Sequence, residues 1–318
     1  MYRLIVLLLA ALAACAGPSL GQRKPPPDPA AARTIEFTIP EAKEGEPYLR
    51  ALVIGDWGTG RADQKEVAAA MIERHEASPL DLVLTTGDNF YPRGVQSGDD
   101  PMWETHFRQI YGETLRSVPW YPTLGNHDHL GKIQGQLDYA KRDATWKLPA
   151  RYHTFSLKLG EDEVQFFALD TDTINDERDP QQLKWLEAEL AKSNARWRIV
   201  YGHHPLYSRS VRGHNKRMIK QLEPLFTRYG VDLFFAGHDH VLEMLKPVKG
   251  VHYVVSGAAA GTDKAYAVFW TDEVHYASTG GGFVILRIGK GEVVVEFVRT
   301  DGATQYAYTV SKAKAEVR

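Results

Sequence analysis

The sequence predicts an α/β fold with added antiparallel strands, built as one mixed sheet or as two packed sheets. Apolar strand-like runs alternate with segments of helical spacing between Leu49 and His240, and further strand-like runs follow. Alternating strands and helices are typical of α/β proteins, whereas consecutive strands favour antiparallel pairing. The chain has 318 residues, and we predict one folded domain over residues 34–318.

The first half of this domain shows the pattern element by element. The run "LRALVIGD" is largely apolar, as in a buried strand, and the segment after it has helical spacing at Val67, Ala70, Met71 and Arg74. In chain order we predict a strand over 49–56, a helix over 61–77, a strand over 80–88, a helix over 99–115, a strand and loop over 118–128 and a short helix over 135–143.

The second half continues the same rhythm. Runs at 152–160 and 164–171 flank the turn "EDE", which predicts an antiparallel pair. A proline in the first turn of 179–193 favours a helix there. We then predict a strand over 196–204, a helix over 215–230, a strand over 231–240 and C-terminal strands over 251–258, 281–289 and 292–300.

The composition is that of a soluble globular protein, with 43% hydrophobic and 25% charged residues. Lys and Arg number 38 against 40 Asp and Glu, which leaves a net charge of -2. No basic run stands out, so we expect no nucleic-acid partner.

The N-terminus predicts an export signal. Arg3 precedes an apolar run over Leu4–Ala16. As a helix this run would be about 20 Å long, which is short of a bilayer core of about 30 Å. A charged start, a short apolar region and small residues are typical of a signal peptide.

Cys15 is the only cysteine of the chain. The stretch "LAAC" before and including it resembles the lipobox of bacterial lipoproteins, whose cysteine becomes the lipidated N-terminus. The alternative is ordinary cleavage after Ala16, since Ala14-Cys15-Ala16 also fits an A-x-A site. We predict a signal peptide over 1–16, a Pro-rich linker over 17–33, and export to the bacterial periplasm or cell envelope, with membrane contact only through a lipid at Cys15.

Polar residues follow five of the apolar runs at the point where each run ends. Because ligands of open α/β sheets bind outside the carboxyl ends of strands, these endings could meet in one crevice. A single "GD" or "GH" is usually a turn or a hydrogen-bonded loop, but five such endings in order predict a site. The endings are Asp56, Asp88, Asn126-His127-Asp128, His203 and His238 with His240.

These residue types predict a metal site. Carboxylates, an amide oxygen and imidazoles suit zinc or first-row transition ions. The set exceeds what one tetrahedral ion needs, and Asp88 has two oxygens with which to bridge two ions. Two ions about 3.5–4 Å apart can clamp a phosphoryl group and activate a water.

Tyr91, in "GDNFYPRG", points to the kind of metal. A phenolate is costly at neutral or acid pH unless a cation binds it, and a hard trivalent ion such as Fe(III) binds it better than a divalent ion. Tyr91 therefore favours iron. The alternative is an ordinary tyrosine of the core or rim whose hydroxyl finds a hydrogen-bond partner.

The blocks "GDWG", "GDNFY", "GNHDHLG", "GHHPLYS" and "GHDH" resemble the five sequence blocks of the purple acid phosphatases, from about Leu49 to the C-terminal strands. The likeness is greatest to their small single-domain type. It implies the metallophosphoesterase fold, a four-layer α/β/β/α sandwich of two mixed sheets with outer helices. It also implies acid hydrolysis of phosphomonoesters by a metal-bound hydroxide at a binuclear centre of Fe(III) and a divalent Fe, Zn or Mn.

The resemblance also implies roles for individual residues. His127 would orient the substrate and protonate the leaving group, while Asn126 and His203 would lie against substrate as well as metal. Small phosphorylated substrates are the expected partners, and we expect a monomer. The implied ligands are Asp56, Tyr91 and His240 on Fe(III), Asp88 as the bridge, and Asn126, His203 and His238 on the divalent ion.

One departure concerns the stretch "SRSVRGHN". Family members often place a second histidine before a glycine here, whereas this chain has Arg212 before Gly213 and His214 after it. Either His214 reaches the substrate or Arg212 clamps its phosphate; the alternative is that both line the rim.

In the aromatic-rich segment 261–282 we expect Phe269, Trp270 or Tyr276 to shape substrate access, unless the segment is a packed hairpin.

Two other functions remain open from the sequence. One is a phosphodiesterase or nucleotide hydrolase with a Mn or Zn pair. The other is a surface-anchored binding lipoprotein that has kept the fold and lost catalysis, although the presence of every candidate ligand argues against it.

Overall fold

A computed structural model of the chain describes residue 39 and residues 45–260 and 267–312. The predicted signal peptide over 1–16, the linker over 17–33 and the predicted start of the domain lie outside these residues, so their boundaries stay predictions. Among the described helices, none is both long and apolar enough to cross a bilayer.

Strands and helices alternate through most of the described chain. The strands are β1 Tyr48–Ile54, β2 Leu82–Thr85, β3 Trp120–Pro122, β4 His153–Leu159, β5 Asp162–Ala168, β6 Trp197–Tyr201, β7 Leu233–Ala236, β8 Leu242–Leu245, β9 His252–Ser256, β10 Val274–Ser278, β11 Gly282–Gly289, β12 Glu292–Arg299 and β13 Thr304–Ser311. The helices are α1 Ala62–Ala77, a π-helical segment Trp103–Arg108, α2 Gln109–Arg116, α3 Asn126–His129, α4 Ile133–Ala140, α5 Thr171–Asn175, α6 Pro180–Lys192 and α7 Lys216–Arg228.

The strands form two mixed sheets. The first has six strands in the order β13-β12-β11-β1-β2-β3, and the second has seven in the order β10-β8-β9-β7-β6-β5-β4. In the first sheet β1, β2 and β3 run parallel, as do β5, β6, β7 and β9 in the second. The predicted antiparallel pair across "EDE" is confirmed by the pairing of His153 with Ala168 through to Leu159 with Asp162.

Alternate residues of β1 point into different apolar layers. Ala51 and Val53 belong to a cluster that joins the inner faces of both sheets, whereas Leu52 and Ile54 pack with residues of α1 and α2. A third cluster joins the outer face of the second sheet to α6 and α7. Since side chains alternate along a strand, each sheet covers one face with the other sheet and one with helices. The predicted four-layer α/β/β/α sandwich is confirmed.

Several elements differ from the sequence predictions. The predicted helix over 99–115 begins at Trp103 with π-helical turns, and β8, β10, β13 and α5 were not predicted. The expectation that Tyr276 shapes substrate access is wrong, because Tyr276 lies in β10, is 6% exposed and packs on Phe297 and Tyr306. Phe269 is 53% exposed, and its role stays a prediction.

Glu243 is a buried acid of β8 whose ionisation affects stability. Its carboxylate accepts hydrogen bonds from the Arg209 backbone N–H at 3.0 and 3.1 Å. Burial raises the pKa of Glu243 from 4.5 to about 8. Between these two pKa values the folded state binds more protons than the unfolded state. The contribution of Glu243 to stability is therefore fully present below the unfolded-state pKa, and it is lost as pH rises through the folded-state pKa.

We expect Glu243→Gln to match the wild type at pH 5 to within about 1 kcal/mol and to exceed its free energy of unfolding at pH 8.5 by roughly 2–4 kcal/mol. Glutamine keeps an acceptor for Arg209 and cannot ionise. Urea denaturation at the two pH values measures the difference, with the exposed Glu66→Gln as control. A stability gain that is equal at both pH values would contradict the assigned pKa shift.

Candidate metal centre

The predicted convergence of strand ends is confirmed. Asp56 and Asp88 follow β1 and β2 of the first sheet, while His203 and His238 follow β6 and β7 of the second. Asn126, which was predicted in a loop, opens the single turn of α3. Parallel strands present their carboxyl ends at one edge of each sheet. The ends of the two sheets meet where the backbone N–H of His238 donates to Asp56 Oδ2 at 2.8 Å.

The first group of donor atoms, which we call site A, comprises Asp56, Tyr91 and His240. The Tyr91 hydroxyl lies 3.1 Å from Asp56 Oδ1 and 3.3 Å from His240 Nε2. His240 Nε2 is in turn 3.4 Å from Asp56 Oδ1. Three predicted ligands of the Fe(III) thus present their donor atoms to one point.

The second group, site B, comprises Asn126, His203 and His238. Asn126 Oδ1 lies 2.9 Å from His203 Nε2 and 3.1 Å from His238 Nδ1, and the two imidazole nitrogens are 3.2 Å apart. His203 Nδ1 is 2.9 Å from the Thr86 carbonyl oxygen. A proton on Nδ1 for that hydrogen bond leaves the Nε2 lone pair facing site B, as in metal-ligating histidines.

Asp88 lies between the two groups. Its Oδ2 is 2.8 Å from the Tyr91 hydroxyl of site A and 3.5 Å from His203 Nε2 of site B. Its Oδ1 accepts the backbone N–H of His127 at 2.8 Å. One buried carboxylate therefore contacts both sites and is itself fixed by α3.

The spacing of these atoms fits two metal ions. Ligands about 2.1 Å from a single ion stand roughly 3.0–3.4 Å apart at tetrahedral or octahedral angles. The donor atoms within each site are 2.9–3.4 Å apart. Oxygen and imidazole donors without sulfur suit zinc, iron and manganese. A ring nitrogen of His204, a residue to which sequence reasoning assigned no role, lies within 4.8 Å of ring nitrogens of His203 and His238.

The electrostatics of site A also favour a bound cation. Burial, followed by the charges of Asp56 and Asp88, raises the pKa of Tyr91 well above its ordinary value. Two buried carboxylates beside a phenol are costly in a low dielectric unless positive charge compensates them. A cation reverses this effect, because it stabilises the phenolate and the carboxylates together.

The backbone is strained at three of the candidate ligands. Asp56, Asp88 and His238 have positive φ angles of 58°, 50° and 68°. Non-glycine residues in this region cost about 1–3 kcal/mol each, and such residues cluster at functional sites. The sharp turns allow each strand to end with its ligand aimed into the space between the sheets.

The model of the calcineurin-like phosphoesterase family matches residues 49–242. The chain belongs to the calcineurin-like phosphoesterase family. Human tartrate-resistant acid phosphatase type 5 is 32% identical over 84% of this chain and 93% of its own length. Purple acid phosphatase 4 of Arabidopsis thaliana is 30% identical over 86% of this chain and 87% of its own length. The resemblance to the small purple acid phosphatases is confirmed.

Solved structures show that the calcineurin-like fold is shared more widely. GAP50, described as the anchor in the inner membrane complex of Plasmodium, has a TM-score of 0.77 at 21% identity over 85% of this chain and 91% of its own. The purple acid phosphatase of yellow lupin seeds has a TM-score of 0.66 at 20% identity over 84% of this chain and 54% of its own. At these identities they show the fold alone.

Asn89, to which the sequence analysis assigned no role, lies in a buried hydrogen-bond network next to the candidate metal centre. Its side-chain amide donates to the Thr123 carbonyl at 2.7 Å and its Oδ1 accepts from Thr85 at 2.6 Å. Asp128 accepts the backbone N–H of Asn89 at 3.1 Å and of Gly125 at 2.8 Å. These bonds join the loops after β2 and β3, which carry Asp88 and Asn126.

His127 stands at the edge of the centre. Its Nδ1 is 2.7 Å from the Pro92 carbonyl oxygen, and its Nε2 is 4.0 Å from Asp88 Oδ2. The ring also lies 4.4 Å from the Tyr91 ring, centroid to centroid. His127 is one-third exposed, so it can reach a molecule in the cleft.

His214 lies in a cavity beside site B. Its Nδ1 accepts the Ser208 backbone N–H at 3.3 Å, and its Nε2 is 3.7 Å from Glu273 Oε2. The same cavity is lined by Arg212 and by His238 of site B. Arg212 and His214, between which the sequence analysis did not decide, therefore line the same cavity beside site B, but their surroundings differ.

Gly125 offers a test of the geometry around Asp88. A Cβ at this position would lie 2.2 Å from Asp88 Oδ1 and 2.3 Å from its backbone nitrogen. We expect Gly125→Ala to displace Asp88 and to lower the metal content of the purified protein to less than about half that of the wild type. Elemental analysis measures this, and Gly291→Ala, with nothing within 4 Å, is the control. Full metal content in both variants would show that Asp88 does not need its observed position.

Proposed function

We propose that this chain is an acid phosphatase that hydrolyses phosphomonoesters at a binuclear metal centre. Site A would hold Fe(III), site B would hold a divalent Fe, Zn or Mn, and Asp88 would bridge them. The observation that carries the proposal is Asp88 Oδ2, which lies 2.8 Å from the phenol of site A and 3.5 Å from an imidazole of site B. The phosphatase names of the relatives support the reaction class.

The assignment of iron to site A follows from Tyr91. Its hydroxyl contacts two buried carboxylates, so a phenolate there needs a strongly charged cation. Site B has an amide oxygen and two imidazoles, which are neutral donors that suit a divalent ion. When bound, the pair would lower the pKa of a water and neutralise charge on the phosphoryl group.

His127 would handle the substrate. The Pro92 carbonyl oxygen accepts a hydrogen bond from Nδ1, which leaves Nε2 directed toward the centre. A protonated Nε2 can donate to a phosphoryl oxygen and then pass its proton to a departing alkoxide. Asn126 and His203 would border the same substrate, and the binding role of His214 stays a prediction.

Export and anchoring rest on the sequence alone. We propose that the protein acts in the bacterial periplasm or cell envelope as a monomer on small phosphorylated substrates, with a lipid at Cys15 as its membrane contact. Residue 15 lies outside the described residues.

Tyr91→Phe tests the identity of the metal in site A. A tyrosinate bound to Fe(III) gives a visible charge-transfer band, so we expect a purple wild-type protein and a colourless Tyr91→Phe variant. Visible spectra with metal analysis measure this, and Tyr48→Phe, at an exposed position, is the control. A colourless, iron-free wild type that remains active would overturn the iron assignment and leave a Mn or Zn phosphoesterase.

His127→Gln tests the protonation of the leaving group. We expect kcat for an alkyl phosphate to fall by about 100-fold or more, and kcat for an aryl phosphate with a good leaving group to fall much less. Steady-state kinetics at acid pH measure both, with metal content as a check. Equal losses on the two substrates would remove the proton-donor role and leave binding of the phosphoryl group.

A further inference from the structure

Two buried polar residues follow β5 at the point where it ends. The strand ends at Ala168, and Asp170 and Thr171 come directly after Leu169, with Thr171 opening α5. Both side chains are fully buried. Because β5 runs parallel to β6, this end lies beside the loop that carries His203 of site B. Buried polar groups need hydrogen-bond partners, and the partners of this pair lie around site B.

We propose that Asp170 and Thr171 position the two halves of site B, and that the Thr171 hydroxyl sets the affinity of this site for its metal ion. Thr171 holds the loop that carries His203, and Asp170 holds the helix that carries Asn126. Neither belongs to the candidate ligands, so both are positioning residues. This inference rests on the metal centre of the function proposed above and names the residues that hold its second site together.

The Thr171 hydroxyl holds the loop after β6 by its main chain. It accepts the backbone N–H of His203 at 2.9 Å and that of His204 at 2.8 Å. The His203 carbonyl oxygen then accepts the backbone N–H of Gly237 at 2.9 Å, one residue before His238. One hydroxyl therefore fixes the main chain of one candidate ligand directly and, through a single further hydrogen bond, the turn that carries another.

The same hydroxyl also fixes the imidazole of His204. A hydroxyl has two lone pairs and one proton, and the two backbone N–H groups use both lone pairs of Thr171. Its proton is therefore donated to His204 Nδ1, which lies 3.2 Å away. An Nδ1 that accepts a hydrogen bond leaves the ring proton on Nε2. Although the His204 ring lies 4.5 Å from that of His238, Thr171 thus keeps its Nε2 from offering a lone pair to site B.

The methyl group of Thr171 fits closely against the loop that its hydroxyl holds. A Cβ at Gly202 would lie 2.4 Å from Thr171 Cγ2, so only glycine leaves room for the methyl group here. The backbone N–H of Leu169 donates to the Tyr201 carbonyl oxygen at 2.9 Å, which brings the two segments together just before this point. The loop therefore has little freedom to move relative to Thr171.

The Asp170 carboxylate holds the other half of site B through α3. Its Oδ1 lies 2.8 Å from Nε2 of His129, the last residue of that helix. Its Oδ2 accepts a hydrogen bond from Arg151 Nη1 at 2.7 Å, and its backbone N–H donates to Gln182 Oε1 at 2.9 Å. Because α3 is a single turn, a contact that fixes its last residue also fixes Asn126, its first.

Site B depends on such positioning more than site A does. Its own donors, Asn126, His203 and His238, are neutral, whereas site A includes the carboxylate of Asp56. Neutral donors offer no net charge to a metal ion, so the affinity depends on how well their positions are fixed in advance. The loss of a group that hydrogen-bonds to a metal-ligating residue typically lowers metal affinity by about 10- to 100-fold.

Zinc titration of the full-length, metal-free protein, followed by calorimetry, tests the inference. We expect the wild type to bind two zinc ions per chain. Thr171→Val keeps the shape of the side chain and lacks the hydroxyl, so we expect it to weaken zinc binding at site B by about 10- to 100-fold and at site A by less than about 3-fold. His238→Ala, which removes a candidate ligand, identifies the binding step that belongs to site B.

Three further variants separate positioning from general stability. Thr171→Ser keeps the hydroxyl and should restore zinc binding at site B to within about 3-fold of the wild type. Thr154→Val makes the same substitution in β4, where the hydroxyl donates to the Phe166 carbonyl oxygen, and should leave both zinc sites unchanged. His129→Ala removes the contact of α3 with Asp170 and should weaken site B alone.

Unchanged zinc binding at site B in Thr171→Val would overturn the inference, as would an equal loss at both sites that Thr171→Ser does not restore. Unchanged binding in His129→Ala would overturn the role of Asp170. A wild type that binds fewer than two zinc ions would overturn the binuclear centre and the inference with it. A wild type whose variants show the expected zinc binding, but which hydrolyses no phosphomonoester, would overturn the phosphatase function and leave the inference standing.

Discussion

The buried carboxylate of Asp88 is the contact on which the rest of the site depends. It touches the phenol of Tyr91, an imidazole of His203 and the backbone of His127, so it links the ends of strands from both sheets. Asp56 and Asp88 are both buried, so two carboxylates place negative charge in a region from which water is excluded. Buried carboxylates are stabilised by compensating cations, and the surrounding donor atoms have the spacing that two such ions would require.

The fold supports this arrangement at a cost. Three candidate ligands have positive φ angles, and a wholly buried polar network around Asn89 and Asp128 fixes the loops behind them. Burial, and then the charge of Asp88, raises the pKa of Asp128 above its ordinary value. Two sheets clamped between helices provide the rigid frame that strained loops require, since isolated loops would relax.

The sequence predicted the site better than it predicted the periphery of the fold. Polar residues that follow a glycine at a strand end are typical of ligands at that edge of the sheet. Six of the seven candidate donors lie in two compact groups, and the seventh, Asp88, lies between them. The short strand β8, "LEML", has no alternation to distinguish it from a helix, and β13 is partly polar because it is an edge strand. Asn89 acts through hydrogen bonds to segments that are distant in the sequence, which no local pattern records.

Anomalous diffraction from crystals of the metal-loaded protein tests the central claim most directly. The account predicts two metal peaks per chain, about 3.5–4 Å apart, both in contact with Asp88. Data collected at the iron edge should show iron at the peak that Tyr91 and His240 bind. A single peak, or two peaks that Asp88 does not join, would contradict it.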